Sequence, residues 1–560
     1  MKKNSIYLLL IFLAFAFQHL YANPSWEAVL GGTVLAPPQA TSWGFVTISE
    51  GNFLNAFTEQ GTVIWQKKLK SKPSQYYYIN RDDFIYLVYD NKRKFALFNP
   101  SGVKLWERTI TDKICEKPFS GRDDRVFIST KNNISCYGIN GIRKWKLATS
   151  SANTHFELLE LNDGSLLRIL ENTGNGNTCA IRISPYGGII EEIQFSETVT
   201  NCYSFYQGII LIYSNGDIKC WTVKDNTTIC LWTLSKQDFN STSTQKKLII
   251  GKGSFCIVYK KPNMSSISLC CINSTTQKKI WEKDITDLHI NGKETFFYIN
   301  GEFIFSSQGY SISFNETDGT IAWKKFLKEP KNHNFFTISK SGYAIYTTSD
   351  WTILGYRLYQ KISSNLDCST IKKNSYPVFP FPTKKEYPSL KTISQAFSTG
   401  DYGEQELVYK WYLEKQKELV LKDLYTQTTS KNILLDTEFP LVIAKSGTSE
   451  YNAIIATMIA KSNNSSITQH ALLAASILGY DKDGKILTAI ENLFSTKKNY
   501  DTPKTIICGI DAIYSICRYM GRSEFNNQGK NILMKAIANG DKNIRQYTIL
   551  TFEKILNLKM

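Results

Sequence analysis

Short runs in which apolar and polar residues alternate fill the chain from about residue 26 to residue 358, with Gly, Asn and Asp between them. Trp43-Gly-Phe-Val-Thr-Ile-Ser49 is followed by Glu50-Gly51, then by Asn52-Phe-Leu-Asn-Ala-Phe57. Glu59-Gln60-Gly61 then turns into Thr62-Val-Ile-Trp65. Alternation with period two places successive side chains on opposite faces of a strand, so these runs predict β-strands joined by tight turns.

A longer repeat lies over the alternation. A Gly, three residues, a Trp and an aliphatic residue four further on recur as Gly61/Trp65/Leu69, Gly102/Trp106/Ile110 and Gly319/Trp323/Leu327. Gly141 to Trp145 and Trp281 with Ile285 follow the same rule, and Trp232 sits in a similar strand without the Gly. The steps between successive Trp positions are nearly even, except that Trp145 to Trp232 is a double step. That double step holds a degenerate copy with Glu191 in the Trp position. A period of about 42 is one four-stranded propeller blade. The Trp strands at 65, 106, 145, 191, 232, 281 and 323 mark seven blades. Residues 335–339, 343–348 and 351–358 supply three strands of an eighth that has no Trp strand of its own. Ser25-Trp26-Glu-Ala-Val-Leu30, with Trp26 in phase one period before Trp65, is expected to complete that blade and close the ring. Trp26, Trp65, Trp106, Trp145, Trp232, Trp281 and Trp323 are read as structural blade residues, each large enough to cover a junction between blades.

Beyond the ring the period changes. Pro377, Pro380, Pro382 and Pro388 mark residues 363–390 as a linker. From residue 391 apolar residues recur with helical spacing. The offsets of Ile467, Ala471, Ala474, Ala475 and Leu478 return in Thr505, Gly509, Ala512, Ile513 and Ile516. They return again, after a nearly equal step, in Ile544, Thr548, Thr551, Phe552 and Ile555. With partner helices near 450–461, 484–496 and 527–538, this predicts three helix pairs resembling HEAT repeats, stacked as a short solenoid or a bundle. The expected class is an all-β eight-bladed propeller followed by an all-α HEAT-like domain: leader 1–22, propeller 23–362, linker 363–390 and helices 391–560.

Composition adds three points. Lys2 and Lys3, an apolar run over residues 6–17 and Ala22 read as a cleaved secretory signal peptide, with no Cys after it for lipidation. The expected location is therefore periplasmic or secreted. No later segment is apolar enough to span a bilayer. The formal charge is +17, and the ring region carries about +11 of it, scattered rather than in the dense stripe of a nucleic-acid binder. An anionic surface remains open as a partner; nucleic acid does not. The 12 Cys contain no CxxC spacing, and with 5 scattered His they predict no zinc site. Cys220 and Cys230 flank a turn that, if symmetric, would bring them within disulfide range. Two buried free thiols are the other reading of the pair.

The Gly-x-x-x-Trp strand and its period resemble the quinoprotein-type, or PQQ-like, eight-bladed propellers over roughly residues 24–360. That resemblance implies either a quinone-dependent oxidoreductase or a non-enzymatic scaffold such as the propeller of the outer-membrane protein assembly machine. An enzyme of this kind is expected to have a quinone, a calcium ion, a catalytic carboxylate and a disulfide between adjacent cysteines. The adjacent pair here, Cys270-Cys271, lies in Ser266-Ile-Ser-Leu-Cys-Cys-Ile-Asn273, a regular strand whose neighbours point to opposite faces. The chain shows no nucleophile–base pairing or phosphate loop. The expectation is a non-enzymatic exported scaffold with no cofactor, its partners envelope proteins or peptides. A glycan- or lipid-surface-binding module is the third alternative.

Overall fold

The computed structural model describes most of residues 21–358, then Pro440, Leu441 and Ala444, and most of residues 452–556. Residues 1–20 of the leader and the linker at 363–390 lie outside the described residues. Eight antiparallel blades form the β part. In chain order they span residues 39–68, 73–109, 119–148, 159–194, 199–234, 247–285 and 295–327. The eighth combines residues 333–357 with the strand Trp26–Val29. The second and third strands of the blades are almost wholly buried, as in Gly44–Ser49 and Ile85–Tyr89, whereas the fourth faces solvent.

Trp26–Val29 pairs antiparallel with Thr352–Arg357, Trp26 standing opposite Gly355, and Leu30 N donates to Trp351 O at 2.7 Å. A Cβ on Gly355 would lie 1.9 Å from the Trp26 ring, so the closing strand fits only because that position has no side chain. The ring therefore has no open blade between its first and last strands. Tyr21 and Ala22 pair in parallel with Phe326 and Leu327 as a fifth strand of blade 7. The physical reason is that an outer strand presents unpaired backbone groups, which an adjacent extended segment satisfies.

The Gly-x-x-x-Trp repeat has a direct structural meaning. The Trp of one blade lies on the Gly of the next: Trp26 on Gly61, Trp65 on Gly102, Trp106 on Gly141, Trp145 on Gly187 and Trp281 on Gly319. At each of these glycines a Cβ would come within 2.4–2.7 Å of the ring, and each has a φ between 66 and 91° that favours Gly. The indole N–H of four of these tryptophans also crosses the junction. Trp26 donates to Glu59 O, Trp65 to Pro100 O, Trp106 to Ile139 O and Trp281 to Glu316 O, at 2.6–3.0 Å. Each Trp thus buries apolar area and satisfies its one donor across the same boundary.

Three junctions depart from this rule. Glu191 replaces the Trp of blade 4, and Thr228 replaces the Gly it would meet. Glu191 accepts from Thr228 N and Oγ1 at 3.2 and 2.8 Å, so a polar bridge stands in for the ring contact. In blade 6 Gln277 takes the Gly position at φ 56°. Trp232 of blade 5 then stacks on Phe255 instead, and its Nε1 is buried without a hydrogen-bond partner. At the junction of blades 7 and 8 Ala22 takes the Gly position before Trp26; Trp323 and Ala22 pack against the same apolar cluster, and the Trp323 N–H turns back to Glu302 at 2.9 Å.

Among the described residues six helices follow: α1 (Asn452–Lys461), α2 (Ser465–Leu478), α3 (Lys485–Ser495), α4 (Pro503–Met520), α5 (Ser523–Asn539) and α6 (Lys542–Leu556). Asn464 caps α2 by accepting from Ser466 N, and Gly479 ends it in the left-handed region at φ 56°. Pro503 opens α4, where its missing N–H costs nothing. Odd helices pack on odd and even on even, giving two layers. Small residues allow close approach. A Cβ on Gly509 would lie 2.8 Å from the Phe494 ring, and one on Gly529 would lie 2.5 Å from Cys517 Sγ.

Candidate functional site

In an antiparallel blade the turns after strands one and three leave by one face of the ring, and those after strands two and four leave by the other. The first kind includes residues 41–43 of blade 1 and residues 80–84 and 99–103 of blade 2. The even helices sit on these turns. Asn99 Nδ2 donates to Asp511 Oδ2 at 2.9 Å, and Tyr519 OH donates to Asp82 Oδ1 at 3.0 Å. Lys504 Nζ donates to Leu105 O at 2.9 Å. The apolar cluster of blades 2 and 3, with Phe84, Tyr86 and Phe95, runs on into the helical core, and Leu550 of α6 packs against the cluster of blades 1 and 2.

Between the two parts lies an open cleft of about 440 Å³ including its mouth. Trp43, Asp82, Asp83 and Pro100 line it from the ring, and Asp511, Tyr514, Arg518, Tyr519 and Tyr547 are among the helical residues that line it. Asp511 is buried and joins the two sides, accepting from Asn99 and, at 2.5 Å, from Tyr547 OH. Burial, reinforced by the Asp511 charge, holds the Tyr547 phenol well above its usual range, so it stays a donor. Ser42 N donates to Asp83 Oδ1 at 3.0 Å, which fixes that carboxylate beside the cleft. Burial works against the charge on Arg518, but Tyr514, Tyr519, Asp83 and Asp82 outweigh it and raise its pKa. The guanidinium also lies 5.5 Å from the Tyr519 ring centroid. Gly479 makes room for this ring, since a Cβ there would lie 2.2 Å from it. The arrangement fixes the helices on blade 2 through three directional hydrogen bonds, the Asn99–Asp511 bond fully buried.

None of the seven repeat tryptophans lines this cleft; they stand at the blade junctions. The hairpin of blade 5 is not symmetric. A bulge after Cys220 sets Cys220 opposite Trp232 and Cys230 opposite Trp221. Cys220 is buried, its thiol pushed up to about 12 by burial, while Cys230 is exposed. Both are free thiols, so the disulfide that a symmetric turn would allow is not formed. Cys270 and Cys271 sit in the regular strand Ile267–Asn273, opposite Ile257 and Cys256, and both are buried free thiols. The residues of the joint, Asn99, Asp511, Tyr519 and Tyr547, carried no signal in the sequence. The members of the Asn99–Asp511 and Asp82–Tyr519 pairs stand far apart along the chain, outside any repeat period.

The family comparison agrees with the geometry of the ring. A family model described as outer membrane protein assembly factor BamB, of the PQQ-like repeat type, matches residues 50–183. That stretch runs from blade 1 into the third strand of blade 4. The fold is an eight-bladed β-propeller of PQQ-like repeats followed by helices. The crystal structure of BamB from Moraxella catarrhalis is similar at 15% identity, covering 60% of this chain and 99% of its own, with a TM-score of 0.41. That of Sqt1 from Saccharomyces cerevisiae is similar at 9% identity, covering 60% and 100%, with a TM-score of 0.45. No curated protein matches the chain. Among the described residues no helix is long and apolar enough to cross a membrane.

Proposed function

We propose that this protein is a non-enzymatic scaffold for protein–protein contacts, exported to the cell envelope. The observation that carries the reading is the family match over residues 50–183 to an outer membrane protein assembly factor. This is the same part of the ring on which the helices rest. Export is supported by Lys2, Lys3, the apolar run over residues 6–17 and Ala22. The two layers of helices support a HEAT-like stack, which in a scaffold offers a second extended surface beside the ring. The divisions at residues 22, 362 and 390 are part of the same proposal. Cys270 and Cys271, in mid-strand with successive side chains on opposite faces, favour the scaffold over the quinone-dependent oxidoreductase.

The test is to mix the purified chain with pyrroloquinoline quinone and calcium, pass it through gel filtration and record the absorbance spectrum. The scaffold reading expects the protein peak to carry no quinone chromophore. A stoichiometric chromophore that reduces an artificial electron acceptor would replace it with the oxidoreductase. Capture of envelope proteins by the full chain, identified by mass spectrometry, is the positive arm.

A further inference from the structure

The face of the ring away from the helices carries the turns after strands two and four, and in blades 8, 1 and 2 these turns are unusual. In blade 8 Trp351 precedes the third strand with φ 68° and is 53% exposed. The same place is held by Asn52 at φ 64° in blade 1 and by Gly309 at φ 76° in blade 7, residue types suited to the left-handed region. A bulky aromatic residue there is strained, and its exposed ring gains little for the fold. Val29, 73% exposed, lies beside it on the closing strand, opposite Thr352. In blade 2 three consecutive residues, Asp90, Asn91 and Lys92, take φ of 53, 55 and 63°. None of them is Gly, and the turn they form presents Lys92 and Arg93.

Backbone hydrogen bonds tie this turn to its neighbours. Asp90 N donates to Lys72 O at 3.0 Å, and Ile114 N donates to Lys92 O at 2.9 Å. Lys72, Lys92 and Lys113 are therefore fixed near one another by main chain. Lys92 Nζ lies 4.4 Å from the Tyr76 ring centroid, and Tyr76 OH is held by Cys115 O at 2.7 Å. The Asp90 carboxylate belongs to Lys94 at 3.0 Å, and Glu116 faces Arg168 at 3.9 Å. Glu50 and Asp112 lie on the same face. Among the described residues Lys70, Lys72, Lys92, Arg93 and Lys113 have no carboxylate partner.

We propose that this face of blades 8, 1 and 2 docks an extended, acidic segment of a partner protein, with Trp351 as its apolar anchor and Lys72, Lys92, Arg93 and Lys113 as its charge clamp. The inference rests on the scaffold reading and names the surface and the chemistry of the partner. Uncompensated cations on a pre-organised turn attract carboxylates, and one exposed aromatic residue on the same face, across blade 1 from them, supplies the desolvated contact on which affinity concentrates. The strain at Trp351 and at residues 90–92 is retained because the turns serve binding rather than stability.

The experiment uses the full chain and a fluorescein-labelled twelve-residue peptide of alternating Glu and Ser with one central Leu, read by fluorescence anisotropy. Lys72→Glu/Lys92→Glu is expected to weaken binding by about tenfold or more. Trp351→Asn is expected to weaken it several-fold while leaving the thermal midpoint unchanged or higher, because Asn suits the left-handed region. Equal binding by all three proteins overturns the proposal. So does binding of vesicles one-third phosphatidylglycerol, lost in the lysine variant, when the peptide does not bind.

Photo-crosslinking from benzoylphenylalanine at position 351, or at exposed position 549 of α6, separates the two layers of the claim. Crosslinks from 351 to an acidic segment support it. Crosslinks from 549 alone overturn this surface and leave the scaffold reading standing. Crosslinks from neither position count against the scaffold reading itself.

Discussion

The junction between blades 2 and 3 and the junction between blades 5 and 6 begin from the same element and end differently. In the first, Trp106 lies on Gly141 and donates to Ile139 O. In the second, Trp232 has Gln277 where the Gly would be, stacks on Phe255, and leaves its indole N–H buried without a partner. The difference teaches that the repeat is a two-residue device acting across a blade boundary. A Cβ at the Gly position occupies the space the ring needs, so losing the Gly also costs the hydrogen bond. Junction 4–5 shows the other resolution, in which both partners have changed and Glu191 bridges to Thr228. The regular junctions run unbroken from blade 8 through blade 4, and the helices rest on the middle of that arc.

The comparison can be broken most sharply at the glycine. Gly141→Ala places a Cβ 2.5 Å from Trp106 at φ 75°. The overlap and the left-handed strain together are expected to lower stability by about 3–5 kcal/mol in denaturant unfolding. Gln277→Ala, where the ring has already moved away, is expected to change it by less than about 1 kcal/mol. Equal losses at the two sites would refute the junction rule.

The joint to the helices comes next in size. Asp511→Ala leaves Asn99 and Tyr547 without their shared acceptor and is expected to cost about 2–3 kcal/mol. If the helices were independent of the ring, the propeller transition in calorimetry would not move. The shared apolar cluster and three hydrogen bonds predict that it does move.

Gln277→Gly sharpens the comparison from the other side. It removes a side chain from the left-handed region and reopens the place for Trp232, so a gain of up to about 1 kcal/mol is expected. A loss would mean that the stacking on Phe255 is the better arrangement. The smallest effect is in acid. Lys279, with Lys261 and Tyr259, holds the Glu282 carboxyl at about 2 against the opposing effect of burial. Its folded pKa lies below the ordinary 4.5, so its contribution is present above that pH and is lost as pH falls towards 2. Glu282→Gln should therefore flatten the acid limb of the stability profile slightly, by lowering stability at neutral pH while leaving it nearly unchanged near pH 2.

Much of the ring was legible because its information is local and repeated. Period two gave the strands, and the longer Trp period gave the blades. The phase of Trp26 pointed to the strand that pairs with Thr352–Arg357. The six helices also fall where spacing set them, since an apolar face repeating with helical period has few other ways to be buried. What lay hidden was pairwise and long-range. The bulge after Cys220 shifts a register that turn length alone suggested was symmetric. The Asn99–Asp511 bond joins two residues whose neighbours in sequence give no hint of each other. The strained turns at Trp351 and at residues 90–92 are invisible in composition, because φ is set by the strands on either side.

The central claim is that the tryptophans are blade locks and that their strength follows the residue they meet. Amide hydrogen exchange on the full chain, resolved blade by blade, tests it most directly. The account predicts slower exchange in the outer strands Lys104–Thr109 and Arg143–Ala148, which flank a regular junction. It predicts faster exchange in Thr227–Leu234 and Lys279–Ile285, which flank the junction where Gln277 replaces Gly. Uniform protection around the ring, or the reverse order, would contradict it.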